Sequence, residues 1–513
     1  MFAKVLSSSV LGIDAYTIKV EAHIENIRPT IFTTVGLPEG AVRESKERVV
    51  AAIKNSGYKL PQRRITINLA PADIKKEGSA FDLPIAIGIL SAFGFVDSTF
   101  LERVFLIGEL SLDGNLRAVK GIFPICLHAK QSGVKGVILP KENLKEASFV
   151  EDIHLAGVEN LKQVVDILNG LSTLDDSQTV AITNKITPQQ YLTDFSDVKG
   201  QENVKRAFEV AAAGSHNILM IGPPGSGKTM IAKRIPSILP SMSNDEIMET
   251  TKIHSVAGLT SKNFGIIMTR PFRSPHHTIS DSGLIGGGQI PRPGEVSLSH
   301  NGVLFLDELP EFKKNVLEVM RQPLEDGEVT IARARISLTY PANFMLIAAM
   351  NPCPCGYFTD TMNECSCSSI GIQKYLSRIS GPLLDRIDIH VDVPAVPFED
   401  LAKVSKGESS DIIRERVQKA RNIQEERFKN YHSIHSNADM DKQEIEAFCS
   451  INSAGKSLLK QAMDKLGLSA RAYDRILKVS RTIADINNEQ DISTIHLSEA
   501  IQYRSLDRDI WQK

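Results

Sequence analysis

The chain has 513 residues, of which 42% are hydrophobic and 23% charged, and its length predicts two to four domains at roughly 150 residues each. A formal net charge of −2 excludes a global field that would draw the protein to nucleic acid or membrane, so a polyanion contact requires a local patch. Six cysteines in so long a chain do not suggest a disulfide scaffold. The sequence has no signal-peptide-type apolar run and no stretch of about 20 apolar residues, so we expect a soluble, cytoplasmic protein.

The sequence pattern divides the chain into four regions. Residues 1–170 alternate short β-rich runs such as RITINLAP and GVILP with helical stretches, which predicts a mixed α/β domain. Residues 171–194 are polar and poorly periodic and are interpreted as a linker. Residues 195–395 show a strand–helix pattern interrupted by glycine-rich turns, and residues 396–513 are helical. The predicted fold class is therefore α/β, with a second α/β core and a C-terminal helical lid.

A glycine-rich turn between an apolar strand and a helix is the most specific motif in the chain. The sequence NILMIGPPGSGKTMIAKRI contains G-x-x-x-x-G-K-[ST]. Backbone amides of such a loop surround phosphates, the lysine reaches the β- and γ-phosphate oxygens, and the threonine hydroxyl holds Mg²⁺. The predicted ATP-binding residues are Gly222, Pro223, Pro224, Gly225, Ser226, Gly227, Lys228 and Thr229.

Two further apolar strands end in polar residues. In GVLFLDELPEF, we expect Asp307 to support the Mg²⁺ shell and Glu308 to orient and polarise the attacking water. In FMLIAAMNP, the amide of Asn351 is expected to sense the γ-phosphate or the water. The alternatives are a buried strand that merely ends in solvated acids, and an asparagine that makes a turn before Pro352. The pairing with the phosphate loop favours the catalytic interpretation.

Two arginines are candidates for stabilising charge during phosphoryl transfer. Arg386 stands at the head of a strand in SGPLLDRIDIHVDVP, and a guanidinium supplied by a neighbouring subunit is a known device for this reaction. The alternative is an ion pair with Asp385 or Asp388. In the helical region, Arg471 begins the helix of LSARAYDRIL and is our choice for a second catalytic arginine.

These residues, in this order, resemble the AAA+ superfamily over about 195–510. The resemblance implies ATP and Mg²⁺ as cofactors and active sites that lie between the subunits of a ring. An arginine supplied in trans then requires an oligomer, and the resemblance implies an ATP-dependent homo-hexamer.

Roughly 70 residues separate the phosphate-loop helix from the acidic strand, and they include the stretch RPFRSPHHTISDSGLIGGGQIPRPGE, residues 270–295. With a predicted hairpin over 327–344, this layout resembles the helix-two-insert clade, which includes magnesium-chelatase ATPase subunits and MCM-type helicases. In that clade both insertions face the central channel, so we expect them to grip substrate. The alternatives are hydrogen bonding within the insert and contact with a neighbouring subunit. The candidate DNA-binding residues are Arg270, Arg273, His276, His277, Arg333 and Arg335.

The N-terminal region resembles the protease domain of Lon and its relative in RadA/Sms. The resemblance lies in the stretches GLPEGAVRESKERVVAAIKNSG and RAVKGIFPICLHAKQSG. Active Lon proteases use a serine–lysine dyad, but Ser79 is out of register by one and Phe123 stands at the lysine position. A serine without a nearby base is a weak nucleophile, so we expect a non-proteolytic domain. The resemblance to RadA/Sms implies that this domain helps ring assembly or contacts DNA.

The Lon-like and chelatase-like resemblances together cover nearly the whole chain, and the combination resembles the ComM/YifB family. This resemblance implies a hexameric ATP-dependent motor that drives branch migration of recombination intermediates in natural transformation. Single-stranded or branched DNA and recombination proteins would be its partners, with no membrane. The alternatives are an ATPase that remodels a protein partner, a Lon-type protease and a non-enzymatic DNA-binding scaffold.

Four of the six cysteines form the pattern C-x-C-x9-C-x-C in NPCPCGYFTDTMNECSCSS. Four thiolates suit a tetrahedral, structural Zn²⁺, although C-x-C is a less usual spacing than C-x₂-C. The alternative is four reduced thiols in a loop. The candidate ligands are Cys353, Cys355, Cys365 and Cys367.

Overall fold

The computed structural model contains two compact units, formed by Met1–Thr187 with Asn244–Met268 and by Pro188–Ser243 with Thr269–Lys513. We call them unit 1 and unit 2. No helix among the described residues is long and apolar enough to cross a membrane. Most of the predicted linker, 171–194, lies outside the described residues. The structure describes residues 1–27, 31–37, 40–73, 76, 78–171, 193–260, 265–288, 291–333, 336–358, 360, 363–396, 407–431 and 434–506.

Unit 1 is built on a mixed sheet, in which seven strands of its described residues take part. Along the hairpin strand Asp14–Glu25, buried and more exposed side chains alternate, as expected for a strand with one face on a core. In spatial order the strands are Phe32–Val35, Arg64–Ala70, Asp14–Glu25, Phe2–Leu11, Val104–Leu106, Gly136–Pro140 and His154–Val158. A separate pair joins Glu109–Leu110 to Leu116–Arg117.

Helices cover the sheet of unit 1. The helix Asp82–Ala92 is buried on all sides except at Ser91, which explains its lack of an amphipathic pattern. Burial raises the pKa of Asp82 to about 6, although an ion pair with Arg48 at 2.8 Å opposes that shift. The helices of unit 1 are Gly40–Asn55, Asp82–Ala92, Ile122–Gln131, Leu144–Ala147, Leu161–Leu168 and Asn244–Ala257.

The last of these helices, Asn244–Ala257, lies within the predicted ATPase core in sequence but packs in unit 1. Its residue Ser255 donates a hydrogen bond to the buried carboxylate of Glu146, which also accepts one from Thr260 at 3.1 Å. Burial raises the pKa of Glu146, and these donors partly offset that shift. Part of the long segment between the phosphate loop and the acidic strand therefore completes unit 1.

Unit 2 contains a parallel five-stranded sheet in its described residues. Its central strands are buried along their whole length, as expected for parallel strands covered on both faces. The carboxyl ends of parallel strands meet at one edge, which brings the polar residues after each strand together. In spatial order the strands are Phe272–Arg273, Val303–Leu306, Met345–Met350, Ile218–Ile221 and Ile389–Asp392.

Two hairpins and many helices complete the described part of unit 2. In residues 270–295, which we call the insert, the short strands Gly286–Gly287 and Arg292–Pro293 pair with each other. In the predicted hairpin, Glu328–Arg333 pairs with Ile336–Pro341. The helices are Glu202–Gly214, Lys228–Ala232, Asp281–Leu284, Glu295–Leu298, Lys314–Val319, Arg321–Asp326, Ser369–Leu376, Gly381–Leu384, Ser410–Phe428, Lys442–Phe448, Ser453–Leu466, Ala470–Ile486 and Thr494–Gln502.

A buried polar network joins the sheet of unit 2 to the C-terminal helices. His216 lies just before a central strand, with Nδ1 3.3 Å from Asp388 and Nε2 2.8 Å from the Thr482 hydroxyl. Asp388 also pairs with Arg475. Burial opposes ionisation of Asp388, but Arg475 and His216 outweigh it and hold the pKa of Asp388 well below its usual range. The network therefore fixes the helical lid to the strand that follows Asp388.

We expect Asp388→Asn to lower the free energy of unfolding by about 3 kcal/mol, because it leaves the partly buried Arg475 without its counter-charge. Denaturant-induced unfolding of the full chain measures the change. The matched control is Asp385→Asn, which removes an exposed carboxylate 3.9 Å from Arg471 and is expected to cost less than about 1 kcal/mol. Equal unfolding midpoints for both variants would contradict a stabilising role for the network.

Candidate nucleotide-binding site

The phosphate loop follows the central strand Ile218–Ile221 and is held against the neighbouring strand. Gly222 lies so close to the Val393 carbonyl that a Cβ atom would come within 2.2 Å of it, so only glycine fits. Gly227 has a φ of 90°, a conformation that glycine adopts without strain. The sequence motif therefore corresponds to a tight turn whose glycines are required by packing and by backbone conformation.

Lys228 lies inside this loop, and its ammonium is nearly buried. The Nζ atom donates to the carbonyls of Gly222 and Pro223, each at 2.8 Å, and lies 3.2 Å from the Asn351 amide oxygen. Burial lowers the pKa of Lys228, while Asp307 opposes the shift. The structure thus brings together the predicted phosphate-binding lysine and the predicted sensor asparagine.

Thr229 and Asp307 are also adjacent. The Thr229 hydroxyl donates to the Asp307 carboxylate at 2.6 Å, and one strand, Met345–Met350, separates the strands that precede these two residues. A hydroxyl and a carboxylate are the oxygen ligands with which nucleotide-binding proteins hold Mg²⁺. This pair therefore fits the predicted magnesium site next to the phosphate loop.

Glu308 follows Asp307 and has an unusual backbone conformation. Its φ is 54°, in the left-handed region that non-glycine residues rarely adopt, and its amide donates to the Asp307 side chain at 3.0 Å. Strain of this kind concentrates at functional sites. The carboxylate is largely exposed, and one of its oxygens lies 3.2 Å from Nδ1 of His277. The sequence did not reveal this contact, because 31 positions separate the two residues.

Each of the two candidate arginines lies beside an acidic side chain. Arg386 is nearly buried, donates to the Pro382 carbonyl at 2.7 Å and pairs with Glu325. Arg471 is largely exposed, with its guanidinium 3.9 Å from Asp385. Asp385 and Asp388 were the alternative ion-pair partners of Arg386, but among the described residues its ion-pair partner is Glu325. The catalytic role of both arginines stays a prediction.

Gln201 is a neighbour of the phosphate loop that sequence reasoning missed. Its side-chain amide donates to the carbonyls of Ser226 and Pro394, at 3.0 and 2.9 Å. Gln201 also has a left-handed backbone, immediately before the helix Glu202–Gly214. The sequence KGQE shows only a possible helix start, so nothing in it pointed to this contact.

The candidate DNA-binding residues divide into two groups. Arg270 donates to the carbonyls of Pro240, Ser241 and Asn301, and Arg273 forms a two-pronged ion pair with Glu295 at 2.6 and 2.7 Å. These two guanidinium groups brace the insert. By contrast, the side chains of His276 and Arg333 are exposed. His277 lies against Glu308, and Arg335 lies outside the described residues.

The insert and the hairpin lie side by side and form an open cleft. Residues 280–282 of the insert and Thr330–Arg333 of the hairpin line it, together with Lys313. Asp281 is also present, and it accepts a hydrogen bond from Asn315 at 2.7 Å. The two segments that were predicted to face the substrate are therefore adjacent within one chain.

The four clustered cysteines converge, and their sulfur atoms all lie within 4.8 Å of one another. The Cys353 sulfur is 3.3 Å from that of Cys355 and 3.7 Å from that of Cys365. A backbone hydrogen bond from Tyr357 lowers the pKa of Cys355 to about 6. Zn–S bonds of about 2.3 Å in a tetrahedron place sulfurs about 3.8 Å apart, so the cluster is compact enough for four thiolates to hold one metal ion.

In the Lon-like region, the residues at the two positions of the serine–lysine dyad make other contacts. Ser79 donates its hydroxyl hydrogen bond to Glu109, and Phe123 is buried in an apolar cluster. A carboxylate that holds the hydroxyl is not a lysine base of the Lon type. The absence of proteolytic activity stays a prediction.

Comparison with known proteins agrees with this geometry. A family model described as "Magnesium chelatase, subunit ChlI" matches residues 194–401, and its C-terminal counterpart matches 407–504. A model described as "Subunit ChlI of Mg-chelatase" matches residues 20–143. Lon protease 2 of Bacillus subtilis is 34% identical over 125 residues, which are 24% of this chain and 22% of that protein. The predicted α/β fold class, Lon-like region and AAA+ core are thereby confirmed.

Two relatives match almost from end to end. Competence protein ComM of Haemophilus influenzae is 46% identical over 508 residues, covering 99% of this chain and 98% of that protein. YifB of Escherichia coli is 44% identical over 503 residues, covering 98% and 96%. The chain therefore belongs to the ComM/YifB family of magnesium-chelatase-type AAA+ ATPases.

Proposed function

We propose that the protein is a cytoplasmic, ATP-hydrolysing ring motor that moves along DNA and drives branch migration of recombination intermediates. The observation that carries the proposal is the convergence of the phosphate loop, the acidic strand and the insert in unit 2. The relative whose name refers to competence supports a role in natural transformation or in homologous recombination generally.

The chemistry of the site follows from the groups that it brings together. Lys228 contacts the β- and γ-phosphates of ATP, and Thr229 and Asp307 hold Mg²⁺, which neutralises phosphate charge when bound. Glu308 orients the attacking water and accepts its proton, while Asn351, next to Lys228, senses the γ-phosphate. These roles need no residue from outside unit 2.

A guanidinium stabilises charge during phosphoryl transfer, and we assign this role to Arg386 and Arg471. In the described chain Arg386 pairs with Glu325, so its use as a trans-acting group requires exchange of that partner for the phosphate of the next subunit. The Arg471 side chain, in contrast, is largely exposed. This arrangement makes the active unit a ring, and we propose an ATP-dependent homo-hexamer.

DNA contact is assigned to the cleft between insert and hairpin. Arg333 and Lys313 line the cleft, and the exposed His276 precedes the cleft residue Ser280 by four positions. These side chains can pair with phosphates. Arg270 and Arg273 support the insert from within rather than touch DNA. One chain offers few cations, but a ring repeats them, so the contacts add up and weaken with salt.

A protein partner is the second candidate substrate. The presence of Asp281 in the cleft and a net charge of −2 favour it, since neither attracts a polyanion. An ATPase that remodels a protein partner would hydrolyse ATP at a rate that DNA does not alter.

We further propose that Cys353, Cys355, Cys365 and Cys367 hold a structural Zn²⁺. Their four sulfur atoms lie within 4.8 Å of one another, and Gly356 of the loop that carries them packs on Pro224 of the phosphate loop. A Cβ on Gly356 would come within 2.4 Å of Pro224. Because of this close contact, the metal would stiffen the wall of the nucleotide site.

The first test is Glu308→Gln, which retains the size of the side chain but removes the proton acceptor. We expect ATP binding to persist, steady-state hydrolysis to fall by at least about 100-fold and movement of a synthetic branched DNA to stop. The matched control is Glu311→Gln, an exposed acid three positions along that pairs with Arg378 at 2.8 Å and is expected to retain activity. Junction movement by Glu308→Gln at the wild-type rate would contradict the proposed motor.

For the cysteine cluster, we expect about one zinc per chain in protein purified with reductant, measured by elemental analysis. Cys353→Ser with Cys365→Ser should abolish that zinc and weaken nucleotide binding, because the loop beside Pro224 loses its clamp. Cys449→Ala, at a buried cysteine of the helical region, is the control and should retain the metal. Zinc retained by the double variant, or absent from the zinc-supplemented wild type, would refute the site.

A further inference from the structure

Arg386 is held by a carboxylate that comes from a distant segment of the chain. One terminal nitrogen of its guanidinium donates to the Pro382 carbonyl at 2.7 Å, and the other donates to the Glu325 carboxylate. Glu325 lies on the short helix Arg321–Asp326, and Arg386 follows the helix Gly381–Leu384 by two positions. The partner of the proposed trans-acting arginine is therefore an acid of the same chain, 61 positions away.

The two members of this pair differ in exposure. The Arg386 side chain is 11% exposed, whereas the Glu325 side chain is 57% exposed. A nearly buried guanidinium requires an anion beside it, because an uncompensated charge in such a place is strongly destabilising. The exposed carboxylate, by contrast, can move into water without opening a core. The pair therefore has one fixed member, the arginine, and one exchangeable member, the glutamate.

Further guanidinium groups act on the same carboxylate. The contact with Arg386 is the main cause that holds the pKa of Glu325 below its ordinary value. The positive charges of Arg471 and Arg475 act in the same direction. Arg475 already has a buried counter-charge in Asp388. Glu325 is therefore an exposed anion in the combined field of several arginines.

The Arg386 guanidinium also has a donor that Glu325 does not use. Its Nε is buried, and among the described residues no acceptor lies within hydrogen-bond distance of it. A buried donor without an acceptor is unusual in a folded protein. A phosphate offers more acceptor oxygens than a carboxylate and suits the fork of a guanidinium. A phosphate in the place of Glu325 can therefore satisfy this nitrogen as well.

We infer that Glu325 occupies, in the free chain, the place that the ATP phosphate of the neighbouring subunit takes in the assembled ring. The inference rests on the proposed function, since it takes Arg386 as the trans-acting guanidinium. The carboxylate and the phosphate are anions that compete for one guanidinium, so assembly displaces Glu325. The glutamate keeps Arg386 paired in a chain that has no neighbour and thereby sets the concentration at which the ring forms.

The test is Glu325→Gln in the full-length protein. Glutamine retains the size of the side chain and an acceptor oxygen but removes the charge that competes with phosphate. Assembly is measured by sedimentation velocity over a series of protein concentrations, with saturating ATPγS as a slowly hydrolysed analogue of ATP. The protein concentration at half-assembly should fall by about tenfold, the ratio that corresponds to one charge-assisted hydrogen bond of ordinary strength.

A second measurement separates competition from a purely structural role. Without nucleotide, Glu325→Gln should unfold at a lower denaturant concentration than wild type, because Arg386 loses its counter-charge. With ATPγS, at a protein concentration where both proteins are assembled, this difference should disappear, since phosphate replaces the carboxylate. A purely structural ion pair would lower the unfolding midpoint in both states and would not favour assembly.

Glu318→Gln is the matched control, because Glu318 forms an ion pair with Arg321 at 2.7 Å in the same part of the chain. This variant should assemble at the wild-type concentration. Glu325→Asp retains the charge and should bring the half-assembly concentration back towards that of wild type.

The two proposals fail in different ways. If Arg386→Ala hydrolyses ATP at the wild-type rate, Arg386 is not the trans-acting group, and both that part of the proposed function and the competition are wrong. If Arg386→Ala is inactive but Glu325→Gln assembles at the wild-type concentration or above it, the role of Arg386 stands and the competition by Glu325 is wrong.

Discussion

The hydrogen bond from Thr229 to Asp307 is the contact on which the nucleotide site depends. It connects the residue after the phosphate-loop lysine with the end of the acidic strand, two positions away in the sheet. The parallel strands are buried along their length, so their polar residues can be placed only at the ends. Lys228, Asn351 and Glu308 all take their positions from this one edge.

The same sheet also positions the insert and the hairpin relative to the nucleotide site. The insert leaves it at Arg273 and returns at Val303, so its path begins and ends beside the acidic strand. The hairpin lies against the insert, where a Cβ on Gly287 would come within 3.1 Å of the Arg333 guanidinium. Because of this geometry, only a few residues of the insert separate the cleft from His277, whose Nδ1 lies 3.2 Å from the Glu308 carboxylate.

Local motifs were predictable from the sequence, whereas partners of long-range contacts were not. The phosphate loop has a fixed internal spacing, and both this loop and the acidic pair follow an apolar strand, which is why Lys228 and Asp307 could be placed. The strand Phe2–Leu11 was not predicted, because its central serines weaken the apolar alternation. It forms a strand by antiparallel pairing with Asp14–Glu25, a contact that the local sequence does not reveal. Arg270 was a candidate for DNA contact because of its charge and its place in the insert, and its guanidinium donates to three backbone carbonyls that the sequence did not reveal.

The most direct test of the account is the ATPase rate measured with no DNA and with single-stranded, duplex and branched DNA, at two salt concentrations. The account predicts that DNA raises the rate and that the increase weakens at the higher salt, because phosphate contacts by repeated cations carry the binding. A rate that is the same with every DNA at both salt concentrations would contradict the DNA motor and indicate a protein substrate.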